Sequence, residues 1–133
     1  MHSPLPLPIT LTTACILALF YLFLSIRVVR GRRHYRVSLG DGDNEDLRIR
    51  VRVHANFGEY VPLMLILMGL LETSNANPLA LMIVAALIVA VRVLHVLGIP
   101  RRGANGFRVG GAGGTFLLLA VLAIWGLVLV LTA

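Results

Sequence analysis

Four apolar stretches govern what this chain can fold into. They run from about Leu7 to Ile26, Val51 to Leu71, Leu79 to Leu97 and Phe116 to Leu131. Each is close to the roughly 20 residues that a helix needs to cross the hydrocarbon core of a bilayer. The chain is 58% hydrophobic over 133 residues, more apolar surface than a soluble domain of that size can bury. The pattern predicts an all-α membrane protein, a single domain over residues 1–133 folded as a four-transmembrane-helix bundle. Its helices are expected at about 7–27, 51–72, 78–99 and 109–131. The first reads as a retained helix, because Met1 to Pro8 carries no Lys or Arg and four Arg follow the apolar run. The single Cys15 has no partner for an intramolecular disulfide and is expected to be a buried, inert thiol.

Charge gives the topology. All 12 basic residues are Arg, set against six acids for a net charge of +6. They cluster at the ends of the apolar stretches without any nucleic-acid-binding motif, so nucleic acid is not an expected partner. The first loop carries Arg27, Arg30, Arg32, Arg33, Arg36, Arg48 and Arg50 around an acidic turn, Asp41 to Asp46. The third carries Arg101, Arg102 and Arg108, whereas the second, Glu72 to Pro78, has no basic residue. The positive-inside rule then places loops one and three in the cytoplasm, with loop two and both termini outside. Gly110, Gly111, Gly113 and Gly114 open the last helix. Close helix packing through small residues accounts for them more simply than a hinge does.

The chemistry lies in the second helix, in Arg52-Val53-His54-Ala55-Asn56-Phe57-Gly58-Glu59-Tyr60-Val61-Pro62. Arg52, Asn56 and Glu59 fall at i, i+4 and i+7 and share one helical face, with Tyr60 on its edge. Ionisable groups in a spanning segment are expensive, and usually face a bundle interior or a water-filled cavity. Arg92 and His95, at i and i+3 on the third helix, form a second polar group toward the same membrane face. No metal is expected, since His34, His54 and His95 show no tight ligand spacing. Arg forks suit carboxylates and a buried Glu suits an ammonium group, so the inventory describes a pocket for a small zwitterion with several carboxylates. Glutathione fits it, but the residues alone do not single it out.

The same run resembles the signature of the MAPEG family, the membrane-associated proteins in eicosanoid and glutathione metabolism. Its Arg-x-x-x-Asn-x-x-Glu-Tyr-x-Pro spacing is similar to the family's leukotriene synthase and microsomal glutathione transferase subtypes. Arg32-Arg33-His34-Tyr35-Arg36-Val37-Ser38 resembles their first-loop segment. The compact length, the Gly-Asp-Gly loop and Arg92-Val93-Leu94-His95 resemble the bacterial branch. The resemblance implies a homotrimer in a bacterial inner membrane, with glutathione as co-substrate bound between subunits near the cytoplasmic face. It also implies partners in membrane lipid and a hydrophobic small-molecule substrate.

Carried over by position, the resemblance assigns glutathione binding to Arg52, Asn56, Glu59 and Tyr60, and to Arg32 from a neighbouring subunit. His54 stands where a family member has a Gln contact, Arg92 aligns with a helix-three Arg, and His95 replaces a Tyr. Ile99 replaces a second Tyr, which removes one hydrogen bond. The thiol-activating Arg matches Arg108, with Arg101 and Arg102 as alternatives. The implied activity is a glutathione transferase or peroxidase for hydrophobic electrophiles, a detoxification role. The alternative is a non-catalytic lipid-binding or scaffold protein of the same family. A small multidrug exporter fits poorly, because such exporters carry a membrane Glu in their first helix and Leu7 to Ile26 has no acid.

Overall fold

The computed structural model describes residues 5–98 and 106–132, with the side chains of 98 and 106–109 outside that description. Four helices follow one another: α1 (Pro8–Tyr35), α2 (Glu45–Thr73), α3 (Pro78–Gly98) and α4 (Gly106–Thr132). Each contains a segment long and apolar enough to span a membrane. Hydrocarbon offers no partner to a bare peptide group, so a spanning chain of this composition pairs its backbone within helices. The molecule is an all-α, four-helix integral membrane protein.

The first two helices outrun their apolar stretches. With 28 and 29 residues they are about 42 and 44 Å long at 1.5 Å per residue, against a hydrocarbon core of about 30 Å. The excess is charged and lies at the end of the bundle where α1 meets α2. Local chemistry keeps it helical. Asn44 caps α2, its side chain accepting from the Leu47 amide at 3.0 Å, and Glu45 and Asp46 occupy the first turn, where the helix dipole favours acids. Asp46 accepts from Arg50 Nε at 2.8 Å and from the Tyr35 hydroxyl at 3.1 Å, tying the end of α1 to the start of α2. In the connecting turn, Asp41 accepts from Arg48 Nε at 2.7 Å and from the Asp43 amide at 3.1 Å. The Arg48 bond, seconded by that amide, holds Asp41 below the usual carboxylate range.

Around the bundle, α1 packs mainly on α2 and α3 mainly on α4, while α1–α3 and α2–α4 contacts close the ring. Leu17 and Leu24 of α1, Phe57, Met64 and Met68 of α2, Leu81 and Ile88 of α3, and Leu122 of α4 fill the centre. Large apolar side chains such as Leu19, Phe23, Ile66, Leu117 and Leu127 stay exposed on the outside, as suits a surface solvated by lipid. The expected burial of Cys15 is corrected here, because the thiol is exposed. The buried stripe of α1 is narrow, running through Thr13, Leu17, Leu24, Val28 and Gly31. Cys15 lies two residues, about 200° of helix, from both Thr13 and Leu17.

Helix association in lipid depends on close packing, and the glycine run at the start of α4 supplies it. A methyl group at Gly111 would stand 2.6 Å from the backbone of His95, and one at Gly114 would stand 2.6 Å from Val91 Cγ1. The backbones of α3 and α4 cross there because neither glycine has a side chain. At the other end, α1 begins at Pro8 after Leu7, which has no capping side chain. The cap comes from α2 instead: the Glu72 carboxylate accepts from the Ile9 and Thr10 amides at 2.9 and 2.8 Å.

Candidate functional site

The polar residues of α2 lie near the end that carries loops one and three. Arg52 and Glu59 are exposed in the single chain, and Asn56 between them is half-buried. Among the described residues neither Arg52 nor Glu59 has an ion-pair partner. These opposite charges stand about two turns apart on one face of α2. Tyr60, on the edge of that face, packs its ring against Phe116 of α4 at 5.6 Å between centroids.

Behind Asn56 lies Arg92, a cation with no exposed surface at all. Three side chains from two neighbouring helices hold it. Its Nη2 donates to Asn56 Oδ1 at 2.9 Å and its Nη1 to Thr115 Oγ1 at 3.3 Å, while the guanidinium lies 5.0 Å from the centre of the Phe57 ring. Thr115 is free to accept because its own hydrogen goes to the Gly111 carbonyl at 2.7 Å. Among the described residues Arg92 Nε has no hydrogen-bond partner, and no carboxylate pairs with the guanidinium. Burying a cation without a counter-ion is costly, and neutral hydrogen bonds and a ring face offset only part of that cost. An ionisable group retained in that setting is a functional signal. His95, one turn along α3, is also buried, with its backbone against Gly111.

His54 belongs to a different face. It stacks on Tyr21 of α1 at 4.5 Å and its Nε2 lies 3.0 Å from Ser25 Oγ. Two residues at 100° each set it about 160° round α2 from both Arg52 and Asn56. Arg32, one helical segment further along α1, is close enough to act on His54 electrostatically. The Arg32 side chain also lines a shallow hollow of about 330 Å³ with Arg33, Arg36 and Ser38.

The residues singled out from sequence therefore fall into two sets. Arg52, Asn56, Glu59, Tyr60, Arg92 and His95 gather on the α3–α4 side of α2, whereas Arg32 and His54 gather on its α1 side. Arg108 lies in the first turn of α4, where side chains are outside the described ones. Ile99, Arg101 and Arg102 are outside the described residues altogether. Among the described residues no three His, Cys, Asp or Glu side chains converge as a metal site would require.

Four participants carried no sequence signal strong enough to single them out. Thr115, at the start of an apolar run, and Phe57, an apolar side chain within the polar stretch of α2, contact Arg92, while Tyr21 and Ser25, which hold His54, look like ordinary membrane-helix residues. The one hint was a hydroxyl just after the glycines of α4, a natural acceptor for a buried donor. Comparison with known proteins adds one match: the model of the MAPEG family covers residues 10–128. Neither the curated proteins nor the solved structures give a match.

Proposed function

Because the chain belongs to the MAPEG family, many of whose members are enzymes, we propose that it is a membrane-bound glutathione transferase with peroxidase capacity. One observation carries the reading. Arg52 and Glu59 stand exposed and unpaired among the described residues, flanking Asn56 above a buried cation. A tripeptide with two carboxylates, one ammonium and a thiol complements that sequence of charges.

The two sets of residues on opposite sides of α2 support a site shared between copies. Arg32 and His54 of one copy would face Arg52, Asn56, Glu59, Tyr60 and His95 of the next. Such a head-to-tail contact gives a ring where its rotation closes, and the family resemblance points to a homotrimer. The Arg-rich loops one and three face the cytoplasm of a bacterial cell on this reading, so the site opens toward the cytoplasmic side of the inner membrane.

Chemistry at the sulfur needs little from the protein. A free thiol has a pKa of roughly 8.5 and is mostly protonated at neutral pH. A guanidinium held beside it favours the thiolate, and we assign that role to Arg108. In the transfer reaction the thiolate forms a C–S bond to the electrophile, and the leaving group departs with the electron pair of the bond that breaks. With a hydroperoxide, two glutathiones are oxidised to one disulfide while the O–O bond is reduced to an alcohol and water. The electrophile would arrive from the lipid along the apolar outer face.

A lipid-binding or scaffold role is the second reading. An apolar groove of about 720 Å³ between α2 and α4, lined by Leu67, Leu70, Leu122, Leu127 and Val130, favours it, as do His95 and Ile99 at family Tyr positions. Titrating the detergent-purified protein with glutathione at neutral pH while following thiolate absorbance separates the two. The enzyme reading expects a saturable thiolate signal that Arg108→Ala abolishes while binding persists. Absence of both binding and thiolate in the wild type would sink it, and loss of the signal in Arg101→Ala or Arg102→Ala instead would move the activating role to that residue.

A further inference from the structure

An asparagine side chain is ambiguous. Its amide offers an acceptor on one limb and two donors on the other, and it turns to suit its neighbours. Asn56 has lost that freedom. Arg92 has donors only and stays charged, so whatever atom of Asn56 faces it must be the carbonyl oxygen. The 2.9 Å contact from Nη2 to Oδ1 is that arrangement. The guanidinium cannot turn away, because it has no exposed surface, Thr115 takes Nη1 and Phe57 covers its face. Thr115 is fixed in turn as an acceptor by its bond to the Gly111 carbonyl. A chain of one-way hydrogen bonds thus ends on Asn56 and leaves Nδ2 as its only free limb. Among the described residues no partner takes that nitrogen, and Asn56 is half-exposed between Arg52 and Glu59.

We propose that Arg92 is a positioning and specificity residue: it locks Asn56 as a hydrogen-bond donor beside the donor-only Arg52, so that the two take the two oxygens of a carboxylate, whereas an amide would set its NH₂ against one of them. Arg92 does this from behind, without touching the ligand. The inference rests on the glutathione reading above and sharpens it, since it states which group of the tripeptide Asn56 tolerates. It also gives the buried cation a task that an apolar residue of the same shape would not perform. A hydrophobic replacement would satisfy packing equally well, but would release the amide to turn.

The test compares affinities for glutathione and for two analogues, each with one of its two carboxylates converted to the carboxamide. A hydrogen bond to a charged group makes a difference of roughly 10- to 100-fold. The wild type is expected to disfavour one of the two amides by about that factor. Arg92→Met should bring that preference down to roughly 2-fold or less, whereas Arg92→Lys, also donor-only, should retain most of it. Asn56→Asp provides the variant in which folding is secure, because the new carboxylate still accepts from Arg92 and now neutralises it. It presents an acceptor to the ligand, and the preference should reverse in favour of the same amide, with thermal stability at or above that of the wild type. The ratio of the two affinities is the readout, which a purely structural role for Arg92 would leave unchanged. A wild-type preference that survives both Arg92→Met and Asn56→Asp overturns the inference and leaves the glutathione reading standing. A wild type that binds none of the three tripeptides overturns both.

Discussion

Helix α2 carries a carboxylate near each end of its membrane span, and the two are treated in opposite ways. Glu72, at the loop-two end, accepts two backbone amides from the first turn of α1 at 2.9 and 2.8 Å. Glu59, at the Arg-rich end, is exposed and has no ion-pair partner among the described residues. The same side chain thus fastens one end of the bundle and, at Glu59, is engaged by no described charged residue. Around Glu72 the charge is spent on orphan N–H groups that Leu7 cannot cap. On the same face as Glu59 stand Arg52, likewise without an ion-pair partner among the described residues, and Asn56, which Arg92 holds from behind. One end has the chemistry of a fastening, and the other is the end we propose as the ligand site.

Substitutions can separate the two ends. The largest effect on folding is expected from Gly111→Ala, since its methyl would meet the His95 backbone at 2.6 Å and backbone cannot yield as a side chain does. Overpacking of this kind costs about 1–3 kcal/mol, measurable by unfolding in detergent. It should also weaken glutathione binding, because the displaced α4 carries Thr115 away from Arg92. Next comes Glu72→Ala, which removes the borrowed cap of α1. A loss of about 1–2 kcal/mol is expected, with glutathione affinity unchanged, and a matching fall in affinity would show that the two ends are not independent. The smallest effect is acid-dependent and confined to the loop-one turn. The carboxyl of Asp41 is held below its ordinary value by Arg48 and the Asp43 amide, so its contribution is fully present above the unfolded-state pKa of roughly 3.9. That contribution disappears as pH falls through the lower folded-state value. Hydrogen exchange of residues 36–44 should quicken over that acid range in the wild type, and Arg48→Gln should flatten the response.

Much of this was readable from residues alone, for identifiable reasons. Apolar runs of bilayer length dictate helices because hydrocarbon allows little else, and the four spans follow from that. The close-packing reading of the glycines also agrees with the structure at Gly111 and Gly114, where α3 leaves no room for a Cβ. The ends of α1 and α2 were less legible, because hydropathy marks where the membrane stops and not where the helix stops. Signals for the extra turns did exist in Asn44, with two acids behind it, and in the Asp46–Arg50 pair at i, i+4. The Glu72 cap could not be read at all, since its amides lie 63 and 62 residues away. In the candidate site, the shared face of Arg52, Asn56 and Glu59 follows from helical periodicity. Periodicity also sets His54 apart from that face, but its place against α1 and its stacking on Tyr21 do not follow from it. The burial of Arg92 depends on α2 and α4, whose Asn56, Phe57 and Thr115 surround it, and emerges only once they are packed.

The claim that the open end of α2 is a ligand site stands or falls on Glu59. Glutathione affinity of the wild type and of Glu59→Gln, measured by calorimetry on detergent-purified protein, is the most direct test. The side chain is exposed, so folding should be unaffected, while loss of its charge should weaken binding by roughly 10- to 100-fold. Equal affinities in the two proteins would contradict the account.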